Sequence, residues 1–121
     1  MVLAKRGIDL RIDQRDPRFN GEFCLRLIPN DNEGKIISIR PLDVSKRGLG
    51  FVVRENLKNG GFYFLMIGHH RYRVEVAYCN SHLGIENLYR CGLFLREADG
   101  NLQDACDHAG LLSDEHRART S

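Results

Sequence analysis

The stretch Asp43-Val44-Ser45-Lys46-Arg47-Gly48-Leu49-Gly50 is a polar turn set between two apolar runs. Upstream lies Lys35-Ile36-Ile37-Ser38-Ile39-Arg40 and downstream Leu49-Gly50-Phe51-Val52-Val53, so the turn reads as the link between two β-strands. Asp43 and Ser45 stand two apart, a spacing that in extended chain points both side chains to one face and makes a carboxylate–hydroxyl fork. Gly48 allows the backbone a positive φ, or a close pass by a ligand with no Cβ in the way. Taken alone, the stretch also fits a plain Asx or Ser turn closed by glycine.

Outward from the turn, the alternation of apolar and polar residues predicts the rest. A first strand is expected over 22–29, where Phe23, Leu25 and Leu27 alternate, and the polar turn 30–34 closes a hairpin onto a strand over 35–42. Beyond Val53, a loop over 55–61 leads to an apolar strand at 62–67, and Gly68-His69-His70 turns the chain again. The segment 71–79 alternates, with Tyr72, Val74, Val76 and Tyr78 on one face and Arg73, Glu75, Ala77 and Cys79 on the other. A polar loop over 80–87 precedes a last strand at 89–95. The period then changes: Leu102, Ala105, Cys106, Ala109 and Leu112 recur at helical spacing behind Asn101, a suitable N-cap.

Six short strands followed by one helix predict a mainly β fold, a small six-stranded antiparallel barrel with a C-terminal α-helix over an open end. Residues 1–20 are highly charged and broken by Gly7 and Pro17, which suits a flexible basic arm. The barrel and helix are expected over 21–112 and a frayed tail over 113–121.

With 121 residues, 42% of them hydrophobic and 28% charged, the chain can bury a real core as one domain. No apolar stretch near Met1 suits a signal peptide and no run approaches membrane-spanning length, so a cytoplasmic location without membrane insertion is expected. Cys24, Cys79, Cys91 and Cys106 fall singly, which reads as reduced thiols, mostly buried, rather than a disulfide frame. The five histidines lack metal-ligand spacing, so no metal or cofactor is expected. Six acidic residues against two basic ones lie from Glu97 onward, so a basic body carries an acidic end although the net charge is only +2. Such a body suits an anionic ligand or partner.

Local sequence assembles no acid–base constellation. Ser45 has no nearby histidine, Cys106 and His108 do not face one another on a helix, and His69-His70 reads as a turn, so no enzyme is expected. Phe51, Tyr72 and Tyr78 sit at core periodicity, which favours packing over a base-stacking platform, and no nucleic acid polymer is expected as partner.

Arg11 and Arg15, four apart in the arm, followed by Asp43-x-Ser45-x-x-Gly48 between two barrel strands, resemble the PilZ domain. The late pair of segments, Val74-Glu75-Val76-Ala77-Tyr78 with Arg90-Cys91-Gly92-Leu93-Phe94-Leu95, is similar to that family's closing hairpin. The resemblance covers roughly residues 11–112. It implies a bacterial receptor for the second messenger cyclic di-GMP, with Arg11 and Arg15 clamping phosphate and guanine and Asp43, Ser45 and Gly48 reading the base. Gln14 and Arg18 offer the same spacing in a second register. The resemblance further implies a non-catalytic receptor whose arm changes conformation and signals to an unidentified protein partner, in motility, secretion or exopolysaccharide control. Output through a homodimer is one route. A ligand-free adaptor working by protein contacts alone is the alternative.

Overall fold

The computed structural model describes Phe19 and residues 23–112. Six strands, β1 (Leu25–Pro29), β2 (Ile37–Val44), β3 (Gly48–Val53), β4 (Phe62–Ile67), β5 (His70–Ser81) and β6 (Tyr89–Leu95), precede one helix, α1 (Leu102–His108). All neighbouring strands run antiparallel, and they close into a barrel in the order β1-β2-β3-β6-β5-β4. Closure comes from β1 against β4, in register from Arg26↔Met66 to Pro29↔Tyr63, so neither strand is left as an unpaired edge. The mainly β barrel with a C-terminal helix expected from the alternation is the fold observed.

Period-two alternation sorts each strand into an inner and an outer face. On β2, Ile37 and Ile39 are buried while Ser38 and Arg40 are exposed. Leu27, Ile39, Phe51, Leu65, Val74, Val76 and Cys91 meet inside the barrel with essentially no exposure, each such burial contributing about 1.5–3 kcal/mol for a large apolar side chain. One end of the barrel carries the loops 30–36, 54–61 and 82–88. The other carries the β2–β3 turn, the β4–β5 turn, the entry into β1 and α1. Leu102 and Cys106 of α1 extend the core across that end.

A seven-residue helix is too short to be stable by itself and depends on its packing and caps. Asn101 is the N-cap, its Oδ1 accepting from Asp104 N at 3.0 Å. The helical spacing read as far as Leu112 is corrected: the helix stops at His108, and Gly110 at φ 76° reverses the chain. Leu111 N then donates to Cys106 O at 2.9 Å, and Leu112 is buried through a β-bridge to Phe19. Except for Phe19, the arm expected over 1–20 lies outside the described residues, as does the tail over 113–121.

Two bulges correct the strand phases. Pro41 faces Phe51 but Asp43 faces Gly50, so Leu42 is the extra residue in β2. Val76 faces Leu93 but Tyr78 faces Gly92, so Ala77 is the extra residue in β5. Each extra residue inverts the alternation beyond it. Tyr78, expected in the core with Val74 and Val76, is therefore 39% exposed on the outer face, while Cys79 packs against the core.

Burial pushes the Cys106 thiol up from 9.0 to about 12, and burial also raises Cys91. A raised thiol pKa gives stability that is intact below the unfolded value and declines as pH rises from there towards the folded one. The urea midpoint of the reduced chain should therefore fall above about pH 9, by up to about 1.4 kcal/mol per pH unit for each buried thiol. Cys106→Ala should flatten that fall, and an unchanged slope would contradict the assignment.

Candidate functional site

The turn between β2 and β3 is tighter than its sequence suggests. Asp43 and Val44 belong to β2 and Gly48 opens β3, so only Ser45, Lys46 and Arg47 lie between. Ser45 N donates to Gly48 O at 2.9 Å, and Gly48 N donates to Ser45 Oγ at 3.1 Å. The hydroxyl thus takes the place of a backbone carbonyl in closing the turn. Gly48 does not sit at positive φ; a Cβ there would stand 3.4 Å from both Leu93 O and Ser45 Oγ. Its use is close packing.

The turn is fastened to the segment that enters the helix. Leu102 N donates to Lys46 O at 2.7 Å, and Leu95 N donates to Arg47 O at 2.7 Å. The Arg47 guanidinium reaches three more carbonyls, donating to Glu97 O at 2.6 Å, Leu95 O at 3.2 Å and Gly100 O at 3.5 Å. Charged donors satisfying carbonyls of an irregular segment contribute about 1.5–3 kcal/mol each where well formed. Arg47 is committed to the fold.

Beside the turn, the two bulges line up a row across four strands: Asp43, Gly50, Gly92 and Tyr78 are successive register partners on β2, β3, β6 and β5. The Asp43 carboxylate lies over Gly50, where a Cβ would come within 2.6 Å of Oδ1. The Tyr78 ring lies over Gly92, where a Cβ would come within 2.7 Å of the ring Cζ. The result is a shallow notch on the outer face with a backbone floor, a carboxylate at one side and a phenol at the other. Arg90 borders it, Nη2 lying 3.3 Å from Asp43 Oδ2, with the two side chains 38% and 46% exposed. An ion pair so exposed contributes about 0–1 kcal/mol, so it positions the carboxylate more than it holds the barrel together. The Arg90 Nε is buried without a hydrogen-bond partner among the described residues.

Of the residues singled out in the sequence, Asp43, Ser45 and Gly48 come together at this end of the barrel, with the Ser45 hydroxyl engaged in its own turn. Arg11 and Arg15 lie outside the described residues, as do Gln14 and Arg18. Gly50, Gly92 and Tyr78 carry no local signal of a site, because only the two bulges bring them into one row with Asp43, and Arg90 joins it from the neighbouring register position.

A second concavity of about 270 Å³ lies along β4 and β5, lined by Asn30, Phe62, Tyr63, Phe64, Arg73 and Arg96. There the Arg71 guanidinium stacks 4.1 Å above the Phe64 ring, and Arg96 pairs with Glu75 at 3.6 Å. Among the described residues no cluster of three or more His, Cys, Asp or Glu side chains could hold a metal ion, and no helix is long and apolar enough to cross a membrane.

No family model, curated protein or solved structure matches the chain.

The notch makes a direct prediction. Gly92→Ala forces the Tyr78 ring aside and should cost about 1–3 kcal/mol, read as a lowered urea midpoint. In the double variant Gly92→Ala/Tyr78→Ala most of that cost should disappear, and strictly additive losses would contradict the stacking of the ring on the glycine.

Proposed function

We propose that this chain is a PilZ-like receptor for cyclic di-GMP that acts without catalysis and passes the signal to a protein partner. The observation that carries the reading is that the acid-and-glycine notch and the entry of the chain into β1 share one end of the barrel. Phe19 is bridged to Leu112, and Leu112 folds back beside Cys106 of the helix whose first amide is held by Lys46 O. A helix of this length spans about 10 Å, and four extended residues reach about 14 Å. Arg15 is four residues before Phe19, and in this reading it approaches the notch from the helix-bearing end of the barrel.

The residues suit such a ligand chemically. Two phosphates and two guanines call for bidentate cations and for an acceptor facing a guanine N–H edge. Arginine forks onto phosphate or onto guanine O6 and N7, and stacks flat on a purine. Arg11 and Arg15 supply these contacts, while Asp43, steadied by Arg90 on one oxygen, accepts from the base. Gly50 and Gly92 let the Asp43 carboxylate and the Tyr78 ring lie close over the sheet, an acceptor beside a ring. Each bidentate contact discriminates against a wrong base by about 1–3 kcal/mol.

The adaptor reading, in which the barrel signals through protein contacts alone, is favoured by one specific observation. The Ser45 hydroxyl and the Arg47 guanidinium are both already satisfied within the protein.

Isothermal titration with cyclic di-GMP separates the two. The receptor reading expects saturable heat in the micromolar range from the wild-type chain, lost or weakened at least about tenfold, some 1.4 kcal/mol, in Arg15→Ala and in Asp43→Ala. Absence of saturable heat from the folded wild-type chain would overturn it in favour of the adaptor.

A further inference from the structure

Cys79 and Cys91 are register partners on β5 and β6, twelve residues apart in sequence and directly opposite in the sheet. Their sulfurs lie 2.9 Å apart, the Cys91 thiol facing the Cys79 sulfur, and both cysteines are free thiols. Directly opposed residues of an antiparallel pair have Cα atoms about 4.5 or 5.5 Å apart, inside the range of about 4.4–6.8 Å that a disulfide spans. No backbone rearrangement is needed to join them.

The two thiols differ in their surroundings. Cys91 is fully buried inside the barrel, whereas Cys79 is half-buried next to the 54–61 loop. Leu57 N donates to the Cys79 sulfur at 3.3 Å, and the Cys79 thiol donates to Asn56 Oδ1 at 3.6 Å. Burial keeps the Cys91 thiol protonated well above the usual range. One sulfur is placed to meet an oxidant and the other to resolve the product.

We propose that Cys79 and Cys91 form a reversible oxidation site, closing a cross-strand disulfide when the chain meets hydrogen peroxide. The Cys79 thiolate attacks one peroxide oxygen, the O–O bond breaks, and the departing hydroxide takes up the thiol proton as water. The Cys91 sulfur then attacks the Cys79 sulfenic acid; the S–O bond breaks, and the second hydroxide leaves as water with the Cys91 proton. Two thiols and one peroxide give one disulfide and two waters. A small-molecule thiol reverses the bond by exchange. Closing it removes the Cys79 donor from Asn56 and so releases a tether of the 54–61 loop.

Peptide mapping of the oxidised full-length chain tests this, because tryptic cleavage after Arg90 places Cys79 and Cys91 on separate peptides. The reduced chain is treated with hydrogen peroxide, alkylated, and digested without reductant. The expected result is near-complete loss of the alkylated Cys79 and Cys91 peptides and the appearance of the linked pair, two hydrogens lighter than the sum of the two free-thiol peptides. Dithiothreitol should restore both peptides. In Cys91→Ser, Cys79 should instead be trapped by dimedone as its sulfenic acid. Survival of both alkylated peptides at a peroxide dose that oxidises exposed Cys24 would overturn the proposal in the wild-type chain, as would Cys79 linked mainly to Cys24 or Cys106.

Discussion

The hydrogen bond from Leu102 N to Lys46 O joins the tip of a hairpin to the first turn of the only helix among the described residues. Much of that end of the barrel depends on it. The helix is too short to persist unaided, yet its Leu102 and Cys106 close the core. Arg47, from the same three-residue turn, gathers the carbonyls of the irregular chain between β6 and the helix, groups that would be costly to leave unpaired. A turn held from both sides cannot drift, and so Asp43, two residues before it, has a fixed position on the rim.

The second constraint is steric. Two bulges and two glycines belong together: each bulge turns a side chain outward, and each glycine leaves the space that side chain occupies. An alanine at either glycine would meet a carboxylate or a phenol ring at well under contact distance. The outer face therefore presents polar groups over bare backbone rather than a packed apolar surface. The Asp43–Arg90 ion pair on that face is exposed and adds little to stability.

Much of the fold was legible in the sequence because alternation is a strong signal in short half-buried strands. Phe62–Ile67 and Tyr89–Leu95 have the bounds their patterns indicate, and Asn101 caps the helix as its residue type suggests. The bulges were not legible. A single extra residue at Leu42 or Ala77 leaves no compositional mark, yet it moves Tyr78 from the core to the surface and brings Cys79 to Cys91. Arg47 reads as an exposed cation in a turn because its carbonyl partners lie about fifty residues away. Leu112 fits helical spacing but is buried by a bridge, since the reversal at Gly110 sets its place. Within the candidate site, Asp43, Ser45 and Gly48 could be found from one local motif. Arg90 and the paired glycines could not, being brought to Asp43 only by the pairing of β2, β3 and β6.

Titration of the isotopically labelled chain with cyclic di-GMP, followed by amide chemical shifts, probes the proposed site residue by residue. Saturable changes are expected, centred on Asp43–Gly50 and Arg90–Gly92 together with residues 11–15. Changes confined to the concavity around Phe62, Phe64 and Arg73, or none at saturating ligand, would contradict this.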